Sequence, residues 1–260
     1  MKKLITLFAS VLVAFTANAQ LCPDNNHPHS IDLGLPSGTK WACCNVGATT
    51  PEDHGAYYAW GETEGKDNYS YLTYMYYQYQ NDSYVYIGDD IAGIQYDVAH
   101  VKWGGSWGMP SLDKIEELVN NCSYTWILLN GVFGGYYTGP NGGTIFLPAA
   151  GNRWNGDLYE ADSCGSYWSS TQYPSDSSKA YGLDFDSGYA NSICYNRHVG
   201  YTVRPTINGT NSINLPESLS NASKQAIYNL YGIKVANNAA DMNTLPPGIY
   251  IVNGKKKVIK

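Results

Sequence analysis

The side chains best suited to chemistry here are six cysteines and five histidines. Cys22, Cys43, Cys44, Cys122, Cys164 and Cys194 show no C-x-x-C spacing, and only Cys194 and His198 stand within ligand spacing of each other. A structural zinc site needs four such ligands held together, so no metal is assigned. His27 and His29 sit in a polar, proline-broken run and read as exposed tether. Asp184 and Asp186 alternate on an apparent strand, so they share one face. Two acids without a third ligand describe a solvated face. No serine, histidine and acid form a recognisable triad, so no catalytic residue and no cofactor is assigned.

Binding chemistry is better represented. Residues 171–198 are rich in Tyr, Asn, Ser, Asp and Gly, which combines rigid aromatic faces with adaptable polar groups. Tyr173, Tyr181, Tyr189, Asn191, Tyr195, Asn196 and Arg197 are the candidate contacts for a glycan or an extracellular protein. Residues 66–88 hold Tyr69, Tyr71, Tyr74, Tyr76, Tyr77, Tyr79, Tyr84 and Tyr86. They read either as an aromatic platform or, preferably, as a β-ribbon covering the side of the domain.

These residues need an exported frame. Met1 to Ala19 has two lysines, an apolar run from Leu4 to Phe15 and Ala17-Asn18-Ala19, the pattern of a secretory signal peptide (1–19). The mature chain then lacks a transmembrane segment. Export makes the cysteines disulfide partners, in any of 15 full pairings. Cys43 and Cys44 adjoin on a strand and require different partners; Cys164 and Cys194 lie near strand ends and are candidates to staple them. Residues 20–206 hold 8 basic and 20 acidic residues, against 6 and 2 in 207–260. An acidic body excludes nucleic acid as the main partner.

Residues 20–30 read as a tether. Structure begins at Ile31–Val46, two strands turning at Pro36-Ser-Gly38. Thr50-Pro51-Glu52-Asp53 predicts a short helix ending by Gly61. Ser111 caps a second helix, whose Leu112, Ile115, Leu118, Val119 and Cys122 form one buried stripe. A meander of short strands follows over Thr125–Leu129, Gly134–Thr138 and Thr144–Pro148. Further strands occupy Tyr167–Ser170, Ala180–Phe185, Ser192–Tyr195 and Tyr201–Pro205. After a linker (207–214), residues 215–260 read as a small all-β domain, with an Asn253–Gly254 hairpin and a basic end.

The stretches Asp32–Ala48, Tyr57–Glu62, Asp97–Pro110, Phe146–Gly151, Tyr167–Ser170 and Gly200–Pro205 occur in an order that resembles the Fibrobacter succinogenes major paralogous domain. That family is abundant in secreted proteins of Bacteroidetes and related to the C-type-lectin-like fold. The resemblance covers 31–206 and implies an α+β, C-type-lectin-like domain of short antiparallel strands with one clear and one short helix. It also implies a Cys44–Cys122 pair and gives Trp103 and Trp107 a packing role under the helix. Gly108 departs from the family's usual Arg, and Cys43 from its usual Thr. The calcium motifs of sugar-binding C-type lectins are only approached, by Gly139-Pro-Asn141 and Trp154-Asn-Gly-Asp157. The related formylglycine-generating enzymes use a cysteine pair near the end of the domain, where Cys194 stands alone.

Ile227–Gly232, Leu245–Val252 and the basic end resemble the C-terminal sorting domain of type IX secretion substrates. The resemblance implies that outer-membrane secretion machinery reads 215–260 and that the protein is secreted or displayed on the surface of a Gram-negative bacterium. The expected function is therefore non-catalytic ligand binding or adhesion. A formylglycine-generating-type enzyme and a structural envelope component are the alternatives.

Overall fold

The computed structural model describes residues 29–208, 227–229, 234–236, 245–252 and 255–259. The signal peptide (1–19), Cys22 with most of the tether, the linker beyond Asn208 and the Asn253–Gly254 turn lie outside the described residues. The chain divides into two compact units, Met1–Gly209 and Thr210–Lys260.

The first unit is a β-rich α+β fold. Strand β1 (Ser30–Asp32) turns back into β2 (Lys40–Ala42), with Ile31 opposite Trp41. The expected helix after Thr50 does not form. Asp53 instead accepts from the Thr49 and Thr50 amides, at 2.9 and 3.1 Å. The turn stops at Gly55, whose φ of +74° is the left-handed conformation that ends helical winding. In the tyrosine-rich segment, β3 (Tyr77–Gln78) and β4 (Ser83–Tyr84) form only a short ladder.

Helix α1 (Val98–Trp103) was not expected from sequence; it is capped by the Asp97 side chain, which accepts from the His100 amide at 3.0 Å. Trp103, at its end, meets Trp107 edge-to-face at 5.2 Å. Helix α2 (Leu112–Asn121) follows Ser111. The Ser111 hydroxyl makes no capping bond, and the Leu112 amide donates to Thr171 Oγ1 at 3.0 Å. The helix is held by its stripe: Ile115 and Leu118 are buried against Leu147, Tyr167, Leu183 and Phe185. Burial of that kind contributes about 2 kcal/mol per side chain.

The meander β5 (Ser123–Leu129), β6 (Val132–Thr138) and β7 (Thr144–Pro148) is antiparallel throughout. A hairpin of β8 (Asn152–Trp154) and β9 (Asp157–Tyr159) follows, turning at Asn155–Gly156. A three-stranded sheet, β10 (Gly165–Gln172), β11 (Lys179–Phe185) and β12 (Ala190–Asn196), packs all three strands against α2. Finally β13 (Thr206–Ile207) returns to β2, with Thr206 opposite Trp41.

The expected disulfide pairs are not formed, since Cys122, Cys164 and Cys194 are thiols. Cys44 is buried in the cluster around Trp60, Trp103 and Trp168, whereas Cys122 packs against the cluster around Leu118 and Tyr137. Cys164 precedes β10, while Cys194 lies on β12 opposite Tyr181, with β11 in between. Two strand spacings, about 10 Å, are more than a disulfide spans. Strand β2 stops before Cys43, so strand alternation does not separate Cys43 from Cys44, and both join the same cluster.

In the second unit, β14 (Ile227–Asn229), β15 (Lys234–Ala236), β16 (Gly248–Val252) and β17 (Lys255–Ile259) form an antiparallel sheet in the order β15-β14-β16-β17. Among its described residues Ile227 and Tyr250 are buried.

Candidate functional site

Three distant segments of the first unit meet around a cleft of about 910 Å³. Asn68, Ser70, Tyr71 and Leu72 form one wall, and Asn152, Trp154, Asn155, Tyr159 and Glu160 form the second. The third comes from the end of β12 and the chain beyond it, including Tyr195, Asn196 and His198. Backbone pairing fixes the walls to one another. Tyr69 and Asn155 exchange amide bonds of 2.6 and 3.1 Å, and Arg153 and Gly200 exchange two of 2.8 Å. Beneath them Tyr69 and Tyr74 are buried, donating to the Tyr57 and Trp60 carbonyls, each at 2.6 Å. The cleft is therefore carried on satisfied, buried hydrogen bonds rather than on free loops.

What faces the cleft is aromatic and amide. Tyr71, Trp154 and Tyr159 remain 46%, 49% and 40% exposed. Trp154 and Tyr159 lie 6.3 Å apart with planes inclined by 47°. The Asn152 amide donates to Glu160 Oε2 at 3.3 Å, which orients that carboxylate. His198 is buried on the opposite wall, with Nδ1 3.5 Å from Tyr84 Oη. Burial, and secondarily the Lys66 charge, lower the His198 pKa, so its ring is neutral at pH 7.

A second hollow of about 610 Å³ adjoins the first and shares Tyr71, Asn196 and His198 with it. Tyr77, Tyr79, Asp82 and Tyr84 complete it. Tyr77 donates to Asp82 Oδ1 at 2.6 Å, and that bond pushes the phenol up to about 12.

A family model described as a domain of unknown function (DUF8237) matches residues 135–206. No curated protein and no solved structure matches the chain. The matched stretch runs from β6 to β13 and contains two walls of the cleft, while the tyrosine-rich wall lies outside it.

The seven candidate contacts do not converge. Tyr195 and Asn196 line the cleft. Tyr181 lies opposite Cys194 on the face of the β11–β12 pair that carries Leu183 and Phe185, where Tyr173 meets it edge-to-face at 5.3 Å. Asn191 and Tyr195 fall on the other face, by strand alternation. Tyr189 sits at the β11–β12 turn and donates to Asp184. Arg197 is not a surface contact. It is fully buried, donating from Nε to Tyr74 Oη at 2.9 Å and from Nη1 to Ser177 O at 3.0 Å. Asp184 is not solvated either: it is buried and accepts from Cys164 Sγ and Ser166 Oγ at 3.1 and 3.0 Å. Tyr71, Trp154 and Tyr159 were missed as contacts. Their one signal was the aromatic-platform reading of 66–88, together with the Trp154-Asn155 motif.

Among the described residues no three His, Cys, Asp or Glu side chains are placed to hold a metal ion. The Cys164 thiol is pushed up to about 12, first by burial and then by Asp184, and stays protonated at neutral pH.

Proposed function

We propose that the first unit is a non-catalytic module that binds a glycan in the cleft between Tyr71, Trp154 and Asn196. One observation carries the reading: three half-exposed aromatic rings surround asparagine amides on a frame locked by backbone pairs. Large exposed apolar side chains gathered in a concavity mark a binding site rather than packing. Aromatic faces cover the apolar faces of sugar rings, and amides donate to and accept from hydroxyls. A protonated Cys164, with Cys194 two strands away, argues against a cysteine-based oxidation of the formylglycine-generating kind.

The resemblance to the major paralogous domain supports a C-type-lectin-like arrangement of this unit. The signal-peptide pattern of residues 1–19 and the sorting-domain resemblance of 215–260 support a secreted or surface-displayed protein that engages outer-membrane secretion machinery. A glycan array probed with the purified chain tests the function. Binding should be retained by Tyr181→Ala and lost in Trp154→Ala with the unfolding midpoint unchanged. Equal binding by wild type and Trp154→Ala would remove the cleft from the function.

A further inference from the structure

The cleft and the adjoining hollow are one groove, because Tyr71, Asn196 and His198 belong to both. Exposed rings stand in each half: Trp154 is 49% exposed in the cleft, and Tyr79 is 73% exposed in the hollow. A single sugar ring cannot cover both, whereas a chain of them can.

The inclination of the rings restricts the shape of that chain. Tyr71 and Tyr77 stand at 85°, Tyr77 and Tyr84 at 61°, and Trp154 and Tyr159 at 47°. None of these three pairs presents a common plane. The flat face of a crystalline polysaccharide needs coplanar rings to lie on, and these pairs offer it none. A single soluble chain, turning from one sugar to the next, can place successive faces on rings that turn with it.

Charge restricts its chemistry. Glu160 lines the cleft and Asp82 lines the hollow, one carboxylate on either side of the shared residues. Among the described residues, no lysine or arginine lines either space. Nearby Lys66 is bound to Glu62 at 2.7 Å, and the Arg197 guanidinium is spent on buried acceptors. Arg153 is turned to the Tyr57 ring, 5.1 Å from its centre. Uronate, sulfate and phosphate groups would meet negative charge with no cation among the lining residues to pair them. Hydroxyls, by contrast, donate to carboxylates.

We propose that the ligand is an uncharged, soluble polysaccharide whose chain spans both halves of the groove. The proposal rests on the glycan reading of the cleft.

Calorimetric titration of the full chain with xylo-, manno-, malto- and mixed-linkage gluco-oligosaccharides, from disaccharide to hexasaccharide, tests it. Oligogalacturonides and microcrystalline cellulose serve as the charged and crystalline comparisons. The expected result is that one neutral series binds and that its Kd falls about tenfold from the dimer to the hexamer. Tyr79→Ala should abolish that gain with length, and Trp154→Ala should weaken every length. A Kd that does not change with length overturns the proposal, as does equal or tighter binding of oligogalacturonides or cellulose, and either result leaves the glycan reading standing. If the folded chain binds no carbohydrate at all, both are overturned.

Discussion

The Arg197 guanidinium lies 4.7 Å from the centre of the Trp60 ring, fully buried. Trp60 is itself pinned by a 2.9 Å bond from Nε1 to Ser169 O. A buried cation is costly unless its donors are met. Here the fork is met by Tyr74 Oη, Ser177 O and Val85 O, so no carboxylate is needed. One side chain thereby ties the tyrosine-rich wall, the turn after β10 and the end of β12 together beneath the cleft.

Arg197→Lys should therefore destabilise the chain by about 3 kcal/mol, since an ammonium cannot reach acceptors placed for a planar fork and leaves carbonyls unpaired. Urea denaturation with an unchanged m-value would measure it. A loss below about 1 kcal/mol would mean that the guanidinium is dispensable to the frame.

Gly108 stands against the buried carboxylate of Asp97, and a Cβ there would lie 2.8 Å from Asp97 Oδ2. That carboxylate cannot move aside: it accepts from the Gly93, His100 and Met109 amides at 2.8, 3.0 and 2.9 Å. Gly108→Ala should cost about 2 kcal/mol through overpacking. Gly156→Ala, whose Cβ would meet nothing nearer than Asp67 O at 3.9 Å, should cost less than about 0.5 kcal/mol. Thermal unfolding of the two variants separates close packing from loss of glycine itself.

His198 makes stability fall with acid. Burial and the Lys66 charge hold its folded pKa below the ordinary 6.5. On acidification the unfolded chain takes up this proton first, so the contribution is complete above 6.5 and is lost as pH falls below it. Asp97 acts in the opposite sense, because burial raises its pKa and stability is lost as pH rises through that value. Its share cancels when wild type is compared with His198→Gln. Between pH 7.5 and pH 5.5 wild type should lose more unfolding free energy than the variant. Equal losses would show that His198 titrates alike in both states.

Elements with a period of their own were visible in the sequence. The α2 stripe and the β5–β6–β7 meander carry their pattern within each segment, and backbone hydrogen bonding follows it. Tyr69 and Tyr71 show where this fails. Two residues apart, they would share one face of a strand, yet Tyr69 is 1% and Tyr71 is 46% exposed. A 3-10 turn at Tyr71–Thr73 breaks the alternation. Which tyrosine is frame and which is surface depends on the pairing of Tyr69 with Asn155, a contact local composition does not carry. Arg197 was misplaced for the same reason, since its acceptors on Tyr74 and Val85 come from a segment remote in the chain.

Cys164 offers a last check on the reading of the first unit as non-catalytic. Its thiol donates to Asp184 Oδ1 at 3.1 Å and is pushed up to about 12, by burial first and the Asp184 charge next. Thiolate is the reactive form, so alkylation by iodoacetamide at pH 8 should run about a hundredfold slower for Cys164 in the native chain than in the urea-unfolded chain. Asp184→Asn removes the charge that opposes ionisation, and alkylation of Cys164 should then accelerate. Peptide mapping by mass spectrometry would follow the single site. A native rate equal to the unfolded one would show that the Cys164–Asp184 bond does not hold the proton, and would make Cys164 a candidate nucleophile.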